Sequence, residues 1–168
     1  MTIVPLAPGH ADALLDAIRD SAADLLPWLG PRYAALQTRA EVDAFIAEWT
    51  AGAAGGTQFG FVALDEARVV GFGLLNQINP FHRFGNLGYW VRTGATGRGV
   101  ATALVRQLAA FGFDTVGLDR LELVIEPANA ASVRVAEKAG AVREGLLRKR
   151  LAGREGPARN AYMYSLVR

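Results

Sequence analysis

Glycines and arginines between a predicted strand and a predicted helix form the part of this chain best suited to bind a ligand. The apolar run Leu87–Val91 leads into a loop, and a helical pattern begins at about Val100. The glycines of that loop are Gly94, Gly97 and Gly99. Glycine adopts positive φ without strain, and the first-turn N–H groups of a helix lack partners and attract anions. With Arg92 and Arg98 beside it, the loop is predicted to hold a pyrophosphate.

The spacing of the glycines separates three classes of nucleotide-binding turn. An ATPase-type loop requires Gly-x4-Gly-Lys-Ser/Thr, and no lysine follows the glycines here. A dinucleotide fingerprint requires Gly-x-Gly-x-x-Gly, whereas Thr102 stands where the third glycine would be. Because this fingerprint is only partly matched, a nicotinamide or flavin oxidoreductase is kept as an alternative function. The structural alternative is that the glycines form a tight turn and bind no ligand.

The elements around this loop follow the pattern of one α/β domain with a mixed sheet, which we expect to span residues 1–168. Thr38 and Glu41 match a capping box at the start of the second helix, and residues 78–85 are predicted to be a loop. Predicted strands cover 2–6, 58–64, 68–76, 87–92, 120–126, 142–151 and 161–167, and predicted helices cover 10–26, 38–53, 100–113 and 129 or 130 to 139.

The composition excludes several classes of function. A net charge of +2, with no block of five like charges, gives no reason to expect nucleic-acid or membrane-surface binding. Without a signal pattern or a bilayer-spanning apolar run, a cytoplasmic protein is expected. The chain has no cysteine and only two histidines, His10 and His82, so a thiol nucleophile and a metal centre are not expected. A Gly-x-Ser-x-Gly nucleophile elbow is also absent.

Short segments in the correct order match one family along nearly the whole chain. They are Leu26–Leu29, Leu87–Val91, Gly97–Ala101, Asn129–Val133, Glu137–Ala141, Glu144–Gly145 with Arg148, and Tyr162–Leu166. Together they resemble the GNAT superfamily of acyl-CoA-dependent N-acetyltransferases, in the branch named for acetylating ribosomal-protein N-termini. Two positions depart from the family pattern: Gly94 replaces the usual Gln or Arg, and Asn86 stands where relatives often carry a glutamate.

The resemblance implies a GNAT-like, mostly antiparallel sheet of about seven strands, splayed between strands 4 and 5 and flanked by about four helices. Acetyl-CoA would then be the co-substrate, with its pantetheine arm in the split and its pyrophosphate on the loop. The residues implied to bind it are Trp90, Val91, Arg92, Gly97, Arg98, Gly99, Val100, Ala101, Thr102, Asn129 and Ser132. Asn129 is equally suited to cap the helix that follows it.

Ser132 and Glu126 are the candidate catalytic residues. The resemblance implies that Ser132 protonates the departing CoA thiolate, because it matches the serine of the family's Asn-x-x-Ser pattern. Many relatives use a tyrosine one helical turn later, where this chain has Ala136. Strand alternation places Glu122 and Glu126 on one face, and Glu126 lies at the end nearest the split, as a candidate base. A capping role for Ser132 and a solvated surface role for either glutamate are the structural alternatives.

The expected reaction is acetyl transfer to a primary amine by direct attack, because no cysteine exists to carry an acyl group. A site without a committed base suits an α-amine, with a pKa of about 7.7–8.0, better than a lysine at about 10.4. The acceptor would be a protein or peptide N-terminus or a small amine. A catalytically weak acyl-CoA-binding module or sensor is the alternative, and a homodimer is left open.

The acceptor pocket is expected between the two early helices and the loops near residues 28–33 and 78–84. The residues expected to line it are Trp28, Tyr33, Phe81 and His82. For Trp28 and Phe81 a core position is the stronger structural alternative, and a histidine on a loop is more often solvated than catalytic.

Overall fold

A computed structural model describes residues 1–29, 31–153 and 156–168. The sequence Pro-Trp-Leu-Gly-Pro at 27–31 predicts a rigid loop, and Gly-Arg-Glu-Gly-Pro at 153–157 predicts a turn. Gly30 of the first and Arg154 and Glu155 of the second lie outside the described residues. The helices are α1 (Ala11–Leu25), α2 (Pro31–Ala34), α3 (Arg39–Ala54), α4 (Val100–Phe111) and α5 (Ala130–Ala139). The strands are β1 (Thr2–Pro5), β2 (Phe59–Asp65), β3 (Arg68–Asn79), β4 (Phe84–Val91), β5 (Arg120–Ile125), β6 (Val142–Leu151) and β7 (Arg159–Val167).

The strands form one sheet in the order β1-β2-β3-β4-β5-β7-β6, which confirms the predicted mixed, mostly antiparallel architecture. Among the described strands, β4 and β5 are the parallel pair, and their pairing covers only Phe84–Asn86 against Arg120–Glu122. Beyond Asn86 the two strands part. The sheet is therefore split between strands 4 and 5, as the resemblance implied.

The two faces of the sheet carry separate hydrophobic layers. One cluster joins β4 and β5 to α4 and α5, and the other packs α1 and α3 on the opposite face. Gly71 and Gly73 allow α4 to lie close to β3, because a Cβ atom at either position would come within 3.0 Å of a side chain of α4. Leu104 and Leu108 of α4 are fully buried in that contact. Each contributes about 1.5–3 kcal/mol by burial, which fixes the start of α4 beside the end of β4.

The structure corrects the predicted loop at 78–85. β3 continues to Asn79 and β4 begins at Phe84, so only residues 80–83 form the turn. The side-chain oxygen of Asn79 accepts a hydrogen bond from the His82 N–H at 2.8 Å, which closes the turn in four residues. The flanking residues are then free to pair, and Asn79 lies opposite Phe84.

No helix in the described ranges is long and apolar enough to cross a membrane.

Candidate active site

Two cavities meet where β4 and β5 part. The larger, about 980 Å³, lies between the glycine loop and the first turns of α4 and α5. The smaller, about 260 Å³, lies along β3, β4 and β5. The two share the following lining residues: Trp28, Leu29, Tyr89, Trp90, Asn129 and Ser132. This arrangement suits two reactants that approach one point from different sides.

One edge of β4 is free at the split. Residues 87–91 pair on one side with β3, from Leu75↔Leu87 to Gly71↔Val91. On the other side the pairing with β5 ends at Asn86, and no other described strand takes its place. The Arg92 N–H bonds to the Val70 oxygen at 3.0 Å, so alternation turns the backbone groups of Trp90 toward β3 and those of Val91 toward the free edge. The Val91 N–H and C=O are therefore available to a ligand that carries amides.

The glycine loop has the backbone geometry that its sequence predicts. Gly97 and Gly99 have φ of +75° and +82°, and a Cβ atom at either would meet nothing within 4 Å. The N–H groups of residues 97–102 have no acceptor among the described residues, and the first N–H bonded into α4 is that of Ala103, to the Gly99 oxygen at 3.0 Å. Consecutive free N–H groups at a helix start form an anion cradle. We call residues 97–102 the cradle.

Neither predicted arginine side chain lines the larger cavity. The Arg98 guanidinium pairs with Asp65 at 3.0 Å. The Arg92 side chain is 6% exposed and forms ion pairs with Asp16, at 2.8 Å, and with Asp20. The positive charges predicted beside the loop are therefore engaged with carboxylates, and the cradle itself consists of backbone groups.

The same contacts anchor the loop to α1. Asp16, Asp20 and Asp24 follow one another at intervals of four residues, so they lie along one face of the helix. Asp24 accepts a hydrogen bond from the Thr93 hydroxyl at 2.7 Å, and Ser21 accepts one from the Thr93 N–H at 3.0 Å. Sequence analysis did not find this anchor, because it joins residues about seventy positions apart.

Asn129 and Ser132 lie together at the junction of the cavities. The Ser132 N–H donates to the Asn129 side-chain oxygen at 3.0 Å, so Asn129 caps α5. The Asn129 amide nitrogen and the Ser132 hydroxyl have no protein partner in the described part of the chain, so both are free to contact a ligand.

Tyr89 is a site residue that sequence analysis did not single out. Its hydroxyl donates to the Ser132 carbonyl at 3.2 Å, and its ring lines both cavities. Burial raises the pKa of Tyr89 to about 12, so the phenol stays protonated at neutral pH. The alternation of β4 was a usable signal, because it places Tyr89 on the face of α5 and Trp90 on the opposite one.

Glu126 lines the smaller cavity, and its side chain is 18% exposed. One of its oxygens accepts from Arg159 at 2.5 Å. The other oxygen has no partner among the residues that the structure describes. Glu122 lies nearer the paired end of β5 and is bonded to Arg120 at 2.9 Å.

The residues predicted for the acceptor pocket divide into two groups. Trp28 lines both cavities and is 43% exposed, so the core interpretation does not apply to it. Tyr33 lines the smaller cavity, and its ring packs against Phe45 with centroids 5.8 Å apart. Phe81 and His82 lie on the turn at the paired end of β4 and line neither cavity, and Phe81 is 86% exposed.

Two asparagines that sequence analysis did not assign to the pocket lie in the smaller cavity. The Asn86 side chain donates to the Asn76 side-chain oxygen at 2.8 Å. No group of three or more His, Asp or Glu side chains in the described ranges could hold a metal ion.

Comparisons with known proteins agree with this geometry. The profile of the family described as "Acetyltransferase (GNAT) domain" matches residues 1–142. The "Uncharacterized N-acetyltransferase p20" of Bacillus licheniformis is 28% identical over 111 residues, which are 66% of this chain and 62% of that protein. The chain thus spans less than two thirds of the length of this relative.

Two solved structures have the same fold over nearly the whole chain. RimJ of Mycobacterium smegmatis, solved in complex with CoA-disulfide, has a TM-score of 0.89 at 25% identity, over 98% of this chain and 80% of that one. The ribosomal-protein-S5-alanine acetyltransferase of Vibrio fischeri has a TM-score of 0.90 at 21% identity, over 98% and 91%. The second likeness is one of fold alone.

Proposed function

This chain belongs to the GNAT acetyltransferase family, and from that premise we propose that it transfers an acetyl group from acetyl-CoA to a primary amine. The observation that carries the proposal is the early end of β4–β5 pairing at Asn86. It opens a cleft that leads from a free strand edge to the cradle. A backbone edge followed by an anion site complements a ligand with an amide-bearing arm and a diphosphate.

The residues present fit coenzyme A. The free edge of residues 87–91 would pair with the two amides of the pantetheine arm, and the Asn129 amide nitrogen would donate to the same arm. The cradle N–H groups would receive the diphosphate, because they have no protein acceptor among the described residues. The free strand amide of Val91 would bind the thioester carbonyl oxygen, where negative charge develops during attack.

The proposed reaction is direct. The amine nitrogen attacks the thioester carbon, the C–S bond breaks, the nitrogen loses a proton and the CoA thiolate gains one. The Ser132 hydroxyl is the proposed proton donor, since it has no competing protein partner and lies at the junction of the cavities. A thiolate with a pKa of about 8.5 is a tolerable leaving group, so this donor assists the reaction without being indispensable.

Glu126 is the proposed proton acceptor, through its unpaired oxygen. Its other oxygen is held by Arg159 at 2.5 Å, which fixes the carboxylate at the edge of the smaller cavity. Presenting a neutral lysine at pH 7 costs roughly 3.5 kcal/mol more than presenting a neutral α-amine, at about 1.36 kcal/mol per pKa unit. We therefore assign an acceptor of low amine pKa, such as a peptide N-terminus or a comparable small amine.

The test is release of free CoA from acetyl-CoA with a panel of N-terminal peptides, small amines and lysine side-chain amines. The proposal predicts turnover with an acceptor of low amine pKa. Binding of acetyl-CoA without CoA release from any acceptor would instead identify a binding module or sensor. A thermal-shift series with acetyl-CoA, NAD and FAD checks the coenzyme, since only a ligand of the folded state stabilises it. Stabilisation by a dinucleotide alone would contradict the proposal.

A further inference from the structure

Three cations line the larger cavity beyond the cradle. Arg106 belongs to α4, and Arg134 and Lys138 belong to α5. Within the described ranges, none of the three forms an ion pair with a carboxylate. They differ in this respect from Arg92 and Arg98, whose charges are compensated.

The three side chains converge on one wall of the cavity. Arg134 and Lys138 are four residues apart on α5, so their Cβ atoms are about 5–6 Å apart on one face. Arg106 reaches across from α4, and its guanidinium donates to the Lys138 carbonyl at 2.8 Å. This bond holds the Arg106 charge beside the end of α5, next to the other two.

This wall lies close to the cradle. Arg106 is six residues beyond Val100, which corresponds to about 9 Å along α4 at 1.5 Å per residue. Asp24 is the carboxylate that lines the larger cavity, and it comes from α1 on the other side of the loop. The cavity therefore has an uncompensated positive wall on the side of α4 and α5.

We infer that Arg106, Arg134 and Lys138 bind the 3′-phosphate of coenzyme A. This inference rests on the proposed function, which places the diphosphate in the cradle. The 3′-phosphate is a monoester on the ribose that the diphosphate carries, so it lies one sugar ring away from the cradle. A phosphomonoester has a charge of about −1.5 to −2 at pH 7, which two or three cations complement. Neutral N–H groups thus hold the diphosphate, and side-chain charges select the ligand that bears the additional phosphate.

Arg134 and Lys138 have no other evident role in the described structure, whereas Arg106 also bonds to the end of α5. Arg134 and Lys138 are exposed, and their charged groups have no protein partner there. Replacing them therefore changes ligand affinity without weakening the fold. Because they are exposed, their effect on a phosphate also declines as salt is added.

The experiment is titration calorimetry with CoA and with 3′-dephospho-CoA. The proteins are the wild type, an Arg134→Ala/Lys138→Ala variant, and an Arg148→Ala/Arg150→Ala control. The control removes the same charge from exposed positions on β6 that line neither cavity. We expect the wild type and the control to bind CoA at least tenfold more tightly than 3′-dephospho-CoA at low salt. The α5 variant should lose that preference, while its Kd for 3′-dephospho-CoA stays within twofold of wild type.

Equal binding of the two ligands by the wild type would overturn the inference and leave the proposed function intact. If the α5 variant weakened the binding of both ligands by the same factor, the inference would be overturned as well. The cations would then contact a part of coenzyme A other than the 3′-phosphate. If neither ligand binds the wild type, the proposed function fails and this inference fails with it. The three results are distinguishable in one series of titrations.

Discussion

The buried guanidinium of Arg92, the residue that follows β4, forms an ion pair with Asp20, seventy-two positions earlier on α1. Asp16 contacts the same guanidinium, and Thr93 is held by Ser21 and Asp24 of the same helix. The loop that presents the cradle is thus fixed to an element on the other face of the sheet. A backbone anion site depends on such anchoring, because its donors are useful only when they are held in position before the ligand arrives.

Arg92→Met should destabilise the protein and weaken CoA binding. The substitution leaves Asp16 and Asp20 unpaired and adjacent, and the loop loses its contact with α1. Since both carboxylates are about half exposed, we expect a loss of about 2 kcal/mol, between the ranges for surface and buried pairs. Chemical denaturation gives the stability, and titration calorimetry gives the Kd for CoA.

Arg39→Met is the matched control for this anchor. Arg39 also bridges two aspartates, Asp12 on α1 and Asp43 on α3, but its side chain is 49% exposed and lies away from the loop. We expect it to destabilise the protein much less than Arg92→Met, because solvent screens exposed ion pairs, and to leave CoA affinity unchanged. Equal effects of the two substitutions on CoA affinity would show that Arg92 does not position the loop.

Gly97→Val and Gly99→Val should each weaken CoA binding at least tenfold. Positive φ is unfavourable for residues with a Cβ atom by about 1–2 kcal/mol, and most of all for β-branched ones, so the backbone would shift away from the cradle geometry. Both positions border open space, so the effect comes from the backbone conformation and not from a clash. Calorimetry with CoA measures the change, and a thermal melt confirms that the variants fold.

Gly94→Val tests the same loop at a position that does not have positive φ. A Cβ atom there also meets nothing within 4 Å. Its CoA affinity should stay within about threefold of wild type, which is a difference below 1 kcal/mol. A loss of affinity as large as that of Gly97→Val would indicate that any side chain in the loop is harmful, and the cradle account would lose its support.

Ser132→Ala should reduce kcat by roughly tenfold while the Kd for acetyl-CoA changes little. This estimate lies below the usual 10²–10⁴ of a general acid because a thiolate leaves readily without one. The cap of α5 survives the substitution, since it uses the Ser132 backbone N–H and not the hydroxyl. Asn129→Ala is the contrasting variant: it removes the cap, costs about 1 kcal/mol of stability and weakens acetyl-CoA binding. If Ser132→Ala instead lowered kcat and binding together, the hydroxyl would be assigned to ligand contact.

Glu144 gives the fold a pH dependence that is independent of the active site. Arg120, through two hydrogen bonds of 2.6 Å, and then Ser165 lower the pKa of Glu144 from 4.5 to about 2. A carboxylate with a lowered folded-state pKa contributes stability above its unfolded pKa and loses it as the pH falls through the folded value. The Tm of Glu144→Gln should therefore lie furthest below that of the wild type at pH 7, and the difference should shrink as the pH falls from about 4.5 to 2.

Glu66→Gln serves as the control for that series. Glu66 lies in the turn between β2 and β3 and forms no ion pair among the described residues. Its Tm difference from wild type should be small at every pH. A constant gap between wild type and Glu144→Gln from pH 7 to pH 2 would contradict the proposed role of the Arg120–Glu144 pair.

Short sequence motifs correctly predicted the features that depend only on residues a few positions apart. The Thr38–Glu41 capping box is present, with the Thr38 N–H donating to Glu41 at 2.8 Å, and α3 begins where it predicts. The glycines at 97 and 99 take the positive φ that their position before a helix requires. These features depend on neighbours within a few residues, so the sequence shows them directly.

Features decided by distant contacts were not predictable in this way. The sequence places Arg92 beside the loop but cannot show that α1 aspartates take its side chain. Phe81 and His82 follow β3, whose true end depends on the Asn79 turn, and the turn places them away from both cavities. Alternation gives the face of Tyr89 but not its bond to Ser132, and the Asn76–Asn86 pair enters the site only because neighbouring elements enclose it.

A crystal structure of the protein with CoA is the most decisive test of the backbone anion site at residues 97–102. We expect diphosphate oxygens within hydrogen-bond distance of N–H groups of residues 97–102, with the pantetheine arm along the free edge of residues 87–91. A complex in which CoA occupies another surface, while these N–H groups remain unliganded, would contradict this expectation.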